Sequence, residues 1–271
     1  MTEEPETYAE FERRGWERAA ADYLECWSDT ALFVEPLLDA AGVGAGTRLL
    51  DIACGPGLVS EAAAARGADP VGIDFAAAMV AQARERCPGL AFVEGDAHDL
   101  PFADGEFDAV TMNFGVNHLS EPEAGMAQAR RVLAPGGRFA FSVWVTEGHV
   151  ADEIITAAVA AHAVAVSRPE GPDPQLYADS DRARRALAGA GFEPGSVSIE
   201  TVTAPWTVPT PEFPFEAHLR AGVQLAVTLR AQSHEVQTAI RDAIADGVRP
   251  YADAEGYTLP IAAKVIAARA G

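Results

Sequence analysis

From Arg48 to Trp144 the chain alternates between two hydrophobic rhythms. The runs RLLDIA (48–53), PVGIDF (70–75), LAFVEGD (90–96), FDAVTMNF (107–114) and GGRFAFSVW (136–144) are short and nearly continuously apolar. Strands buried on both faces of a parallel sheet read this way. Between them, 57–66, 76–87 and 121–133 carry helical spacing. The alternation predicts βαβ units with right-handed crossovers, hence an α/β core.

The flanks have a different texture. Residues 7–40 read as two helices with a concentration of aromatics, Tyr8, Phe11, Trp16, Tyr23 and Trp27, before a break at Gly42 to Gly46. Beyond Trp144 a long helix is predicted over 149–167, then the loop RPEGPDP (168–174) and a helix over 180–190 stopped at Gly191. SVSIETVTA (196–204) reads as a strand and PWTVPTPEFP (205–214) as a Pro-rich connector. Helices over 215–231 and 234–248 follow, and the latter part of LPIAAKVIAARA (259–270) reads as a strand. This predicts an N-terminal helical lid (1–46), a ligand-binding core (47–145), a helical cap insertion (146–178), and the rest of the sheet (179–271) with a helical insertion at about 205–250.

Composition narrows the classes. The 271 residues suffice for a large α/β domain with a cap, and 49% apolar content is ordinary for a globular chain. A formal net charge of −20 argues against nucleic acid and anionic membranes as partners. Cys26, Cys54 and Cys87 form no CxxC pair and no zinc-type spacing, so neither a disulfide framework nor a metal is expected. The acidic start, MTEEPETYAEFERRGW, is the reverse of a signal peptide, and VADEIITAAVAAHAVAVS is too interrupted to span a bilayer. A cytoplasmic protein is expected.

The chemistry gathers around LLDIACGPGLVS, a strand running into a glycine-rich turn that opens a helix. Small residues let a ligand approach the backbone, and the helix start offers unpaired N–H groups. The turn has no Lys, which excludes a P-loop, and Ser60 stands where a dinucleotide fold wants its third glycine. Asp51 ends the first strand. A carboxylate there would repel a pyrophosphate but suits an ammonium or sulfonium. Asp74 ends the second strand, where an acid reaches ribose hydroxyls, and Asp96 closes the third, where it can accept from an exocyclic amine. Each acid alone could be a cap or a turn former. In register at the ends of three strands, they describe a site for a cationic adenosyl ligand.

With those residues in view, LLDIACGPG, GIDFAAAMVAQAR, EGDAHDLPFADGEFDAV and RRVLAPGGRFAFSVW together resemble the class I S-adenosylmethionine-dependent methyltransferases, the small-molecule type similar to ubiquinone/menaquinone-biosynthesis enzymes. The resemblance covers about residues 47–145. It implies a Rossmann-like, doubly wound, seven-stranded sheet whose last strand is antiparallel, with N-terminal helices and a helical cap. It implies S-adenosyl-L-methionine as cofactor and S-adenosyl-L-homocysteine as product. Gly55 and Gly57 would border the methionine part, Asp51 would help hold its amino end, and Asn113 would lie beside it. Asp74 would bind the ribose, and Asp96 with the backbone of Ala97 the adenine, near His98. Ala53, Phe75 and Met79 complete the expected cofactor set.

The acceptor is less legible. No [DNS]-P-P-[FYW] stretch follows the fourth strand, where the chain reads Asn113-Phe114-Gly115-Val116, and there is no Pro-Cys dipeptide. Amino-group methylation of adenine or glutamine and cytosine C5 methylation are thus disfavoured. Without a basic amphipathic helix for membranes, a diffusible small molecule is expected. Tyr8, Trp16, Tyr23, Trp144, Trp206, Phe213, Phe215 and His218 would roof an apolar pocket. Taken singly, each is as well explained by packing. His118, in NFGVNHLSEP, is the leading candidate base, ahead of His149, His162 and Glu147, although a methyl on sulfonium needs alignment more than a strong base. The expected reaction is O-methylation of a flat or hydrophobic metabolite of secondary metabolism, by a protein that could pair as a homodimer. The alternative is a fold relative that holds the cofactor and catalyses a cyclisation.

Overall fold

A computed structural model of the chain describes residues 6–254 and 256–271. The first five positions, with which the expected N-terminal segment begins, lie outside the described residues. The sheet has seven strands in the order β3-β2-β1-β4-β5-β7-β6. They are β1 (Arg48–Ile52), β2 (Asp69–Asp74), β3 (Ala91–Glu94), β4 (Phe107–Met112), β5 (Leu133–Trp144), β6 (Ser198–Val208) and β7 (Tyr257–Arg269). Pairings from β3 across to β5 are parallel, and β7 runs antiparallel to β5, as expected of the seven-stranded class.

The chain divides into two compact units. One takes in Thr30–Trp144, Gly171–Val202 and Ala263–Gly271. It contains the parallel strands and the helices α3 (Val34–Ala41), α4 (Leu58–Ala65), α5 (Ala77–Arg86), α6 (Pro122–Val132) and α8 (Ser180–Gly189). Its strand residues alternate between two cores, as a period of two requires. Leu50, Ile52, Val110, Met112, Phe139 and Phe141 pack with Met126, Val132 and Leu187 of α6 and α8. Leu49, Ala109 and Ala140 face the other way, against Leu37 and Leu38 of α3 and Val59 and Ala63 of α4. Bulky side chains fill one face and smaller ones the other, and burial on both faces explains why the strand sequences lack polar alternation.

The other unit takes in the chain up to Asp29 with Val145–Glu170 and Thr203–Ala262. It holds α1 (Tyr8–Ala19), α2 (Tyr23–Cys26), α7 (Val150–His162), α9 (Phe213–Ala221), α10 (Gln224–Arg230) and α11 (His234–Val248). Thr7 caps α1 through a reciprocal bond with Glu10, a capping box. Gly15 lets α1 approach Val223 so closely that a Cβ there would lie 2.3 Å from Val223 Cγ1.

Several elements differ from the sequence expectation. The two helices over 7–40 are α1, a short α2 and α3, separated by 3-10 turns. The helix over 149–167 stops at His162. There the Gln232 side chain bonds both the N–H and the C=O of Val164 at 2.9 Å, pairing that residue as a strand partner would. Residues 205–208, read as connector, continue β6. The helix over 215–231 breaks at Gly222 into α9 and α10. No helix among the described residues is long and apolar enough to cross a membrane.

Candidate active site

The predicted cofactor residues all fall in the unit that holds the parallel strands, at or just past the C-terminal ends of β1 to β4, with Met79 on the helix that follows β2. The strand order reverses between β1 and β4, and crevices at such switch points are where open α/β sheets bind ligands.

β1 delivers Asp51, which is wholly buried. Its Oδ2 accepts from Ser60 Oγ at 2.8 Å and its Oδ1 from Thr111 Oγ1 at 3.1 Å. Burial pushes this carboxyl up to about 7, the two hydroxyls pull it back down, and the Asp74 charge adds to the rise. The turn follows with Ala53, Gly55 and Gly57 at φ of 53°, 50° and 83°. Gly55 faces open space, where a ligand can meet the backbone. Gly57 instead packs against Phe92, with a Cβ there only 3.0 Å from the ring, so its smallness seats α4 on the sheet.

Asp74, at the end of β2, is 6% exposed. Its Oδ2 accepts from the Gly55 N–H and its Oδ1 from the Ala76 N–H, both at 2.9 Å. Phe75 is half-buried beside it, and Met79 is buried on the first turn of α5. Asp96 does not end β3 as expected; the strand stops at Glu94, and Asp96 follows Gly95 on the exposed loop. Asp96 Oδ1 accepts from the backbone N–H of His98 at 2.9 Å and meets His98 Nδ1 at 2.6 Å. His98 Nε2 accepts from the Glu121 N–H, so Nδ1 carries the proton and donates to Asp96. Ala97 between them is buried in the core.

Asn113 and Phe114 follow β4. Ser142 Oγ donates to Asn113 Oδ1 at 2.6 Å and accepts from the Phe114 N–H at 2.9 Å, while Asn113 Nδ2 donates to the Thr30 carbonyl. Phe114 has φ 55° and stacks on Trp144 at 3.9 Å, with Phe33 edge-on to both rings. Ala53 and Phe114 are the non-glycine residues with positive φ among those described. Left-handed backbone costs an L-residue about 1–2 kcal/mol, and such strain clusters at functional sites. A Cβ on Gly115 would lie 2.6 Å from Ala53 Cβ, so this glycine brings the two strained loops together.

His118 ends a 3-10 turn, Val116–His118, on the same loop, half-buried, its N–H donating to the Gly115 carbonyl. The adjacent Asn117 ties that turn to the Pro174 carbonyl at 2.7 Å. His149 belongs to the other unit, where burial lowers it to about 4 and keeps it neutral. Of the expected acceptor aromatics, Tyr8, Trp206, Phe213 and Phe215 are buried within that unit, as packing residues are. Sequence reasoning missed Thr111, Ser142 and the structural part of Ser60. The signal was available in the first two: each is a polar residue interrupting an apolar run near the C-terminal end of a strand, FDAVTM and FAFSVW.

A family model described as a methyltransferase domain matches residues 50–141. Those residues form a methyltransferase domain. The resemblance to class I S-adenosylmethionine-dependent methyltransferases read from the sequence is thereby borne out, along with its sheet. A demethylmenaquinone methyltransferase of Beutenbergia cavernae is 49% identical over 109 residues, 40% of this chain and 45% of that protein. Its counterpart in Paenarthrobacter aurescens is 38% identical over 169 residues, 58% of this chain and 66% of that protein. The chain thus spans about half to two thirds of these curated relatives. Among solved structures, a Haemonchus contortus phosphoethanolamine N-methyltransferase superposes with a TM-score of 0.57 at 18% identity, over 98% of this chain and 60% of that one. That likeness is one of fold. The methyltransferase domain carries every residue of the Asp51, Asp74 and Asp96 series.

Proposed function

We propose that the chain transfers a methyl group from S-adenosyl-L-methionine to a small, flat, hydrophobic acceptor, by in-line displacement at an acceptor oxygen. The observation that carries this reading is the placing of Asp51, Asp74 and Asp96 at or just past the ends of β1, β2 and β3, around a turn whose Gly55 faces open space. The donor set suits the cofactor. Asp74 offers carboxylate acceptors for ribose hydroxyls, Asp96 an acceptor for an exocyclic amine, and Asp51 negative charge towards an ammonium. A pyrophosphate would meet these three acids with repulsion.

The cofactor supplies a methyl group on a sulfonium, which departs as a neutral thioether. The chain's part is to bind, align and dry. Fixing donor and acceptor in near-attack geometry is worth about 7–11 kcal/mol in favourable cases. Asn113, held by Ser142 and Thr30, fixes the edge of the site after β4. An imidazole nitrogen of His118 takes the acceptor's hydroxyl proton as the new bond forms. The relatives' name, demethylmenaquinone methyltransferase, supports a ring of quinol type as the molecule bound, while the choice of oxygen over a ring carbon rests on His118 as a base for a hydroxyl proton.

The test is incubation of the protein with S-adenosylmethionine and a panel of quinols and phenols, read by intact mass. A product one CH2 heavier, formed with one S-adenosylhomocysteine per turnover, is expected. A new chromatographic species of unchanged mass, formed at the substrate's expense with the cofactor unconsumed, points to the cyclase-like alternative instead.

A further inference from the structure

Asp51 poses a question that cofactor recognition alone does not answer. Its carboxyl group is wholly buried, and the groups that donate to it are all neutral: the Ser60 and Thr111 hydroxyls, from α4 and β4, with the Ser60 backbone N–H beside them. No Lys, Arg or His among the described residues forms an ion pair with it. Buried carboxylates are costly unless a cation or several donors accompany them, and a group with too few of either becomes neutral instead. The other titratable groups acting on it are Asp74 at the end of β2, which repels a charge there, and the buried Cys54 thiol on the turn. Burial pushes this carboxyl up to about 7, and the Ser60 and Thr111 hydroxyls and the Ser60 backbone N–H draw it back down.

We propose that Ser60 and Thr111 are positioning residues for cofactor binding: in a buried site that offers Asp51 no cation, their hydroxyls hold its carboxyl group so that an arriving ammonium group ionises it and expels its proton. Before binding, the site holds a carboxylic acid in part of the population. After binding, it holds a carboxylate facing the ligand's ammonium, and one proton has gone to solvent. No bond other than this O–H is broken. The proposal rests on the S-adenosyl reading above, because it needs a ligand carrying an ammonium beside this turn. It also accounts for Ser60. A glycine there would withdraw a donor from the buried acid.

Calorimetry with S-adenosylhomocysteine, in buffers of contrasting ionisation enthalpy, counts the protons released on binding. S-adenosylhomocysteine has the amino-acid end of the cofactor without its sulfonium, so the readout is independent of turnover. Close to one proton released at about pH 6 and almost none at about pH 8 is expected, with affinity rising up to about tenfold per pH unit between them. Thr111→Val and Ser60→Ala raise the acid further. Each loses roughly tenfold in affinity at about pH 7 and recovers most of it near pH 8.5, while Thr111→Ser behaves as wild type. Asp51→Asn binds with a flat pH profile. Wild-type binding without proton release at either pH overturns the proposal, and that arm needs no variant to fold. So does a Thr111→Val defect that higher pH does not repair. Failure of the wild type to bind S-adenosylhomocysteine at any pH overturns the cofactor reading itself.

Discussion

The backbone N–H of Gly55 donates to Asp74 Oδ2 at 2.9 Å, so the acid that ends β2 holds the turn that follows β1. One carboxylate thus shapes the glycine turn and stands where ribose hydroxyls are expected. Asp74→Ala removes both. Hydrogen bonds to a charged group are worth about 1.5–3 kcal/mol, so S-adenosylhomocysteine binding should weaken roughly 10- to 100-fold. Calorimetry checks this, and an unchanged Kd would remove Asp74 from the site.

Asp51 makes the free protein's stability depend on pH in an unusual direction. Its carboxyl stands at about 7 in the fold against an ordinary 3.8. Between those values the folded chain binds a proton that the unfolded chain does not. The stabilisation is full below about 3.8, falls as pH rises, and is gone above about 7. Asp51→Asn cannot ionise. Its stability relative to wild type should therefore grow between pH 5 and pH 8, by about 2–3 kcal/mol. Denaturant titrations at both ends check the sign.

His149 works in the opposite sense. Burial lowers it from 6.5 to about 4, so the fold holds it neutral while the unfolded chain takes up a proton. Its contribution is present above about 6.5 and is lost as pH falls towards 4. His149→Gln should shift the acid unfolding midpoint downward, followed by tryptophan fluorescence. A midpoint that stays in place would mean that His149 is not what fails in acid.

His118 is expected to matter for chemistry and not for holding the cofactor. A positioned general base contributes typically 10²- to 10⁴-fold. His118→Ala should lower kcat by about 10²-fold and leave the Kd of S-adenosylhomocysteine unchanged. A loss in cofactor affinity instead would make His118 part of the binding wall.

Gly115→Ala tests the meeting of the two strained loops. The added Cβ would stand 2.6 Å from Ala53 Cβ and 2.8 Å from Met112 Cγ. Overpacking of this kind costs about 1–3 kcal/mol. Thermal melts should show that loss, partly repaired by Ala53→Gly, which removes one of the two obstacles and frees a φ of 53°.

The core strands were legible because strands buried on both faces carry near-continuous apolar runs. Their ends were less so: LAFVEGD suggests that Asp96 ends a strand, yet pairing with β2 stops at Glu94. The helix over 149–167 was overextended because its alanine-rich pattern does not reveal Gln232, distant in sequence, capturing Val164. PWTV was read as connector because two prolines flank it, although it continues β6 to Val208. Asp51, Asp74 and Asp96 stood out as acids after apolar runs. Thr111 and Ser142 interrupt their apolar runs as visibly, but what each hydroxyl bonds became clear only when the fold brought Asp51 and Asn113 to them.

The glycine turn and its three acids form the place expected to take an S-adenosyl cofactor. Calorimetric titration of the protein with S-adenosylmethionine, against NADH as comparison, tests it most directly. Saturable binding of one equivalent per chain is expected, weakened in Asp74→Ala, with NADH bound far more weakly. No binding at millimolar S-adenosylmethionine, or tighter binding of NADH, would contradict it.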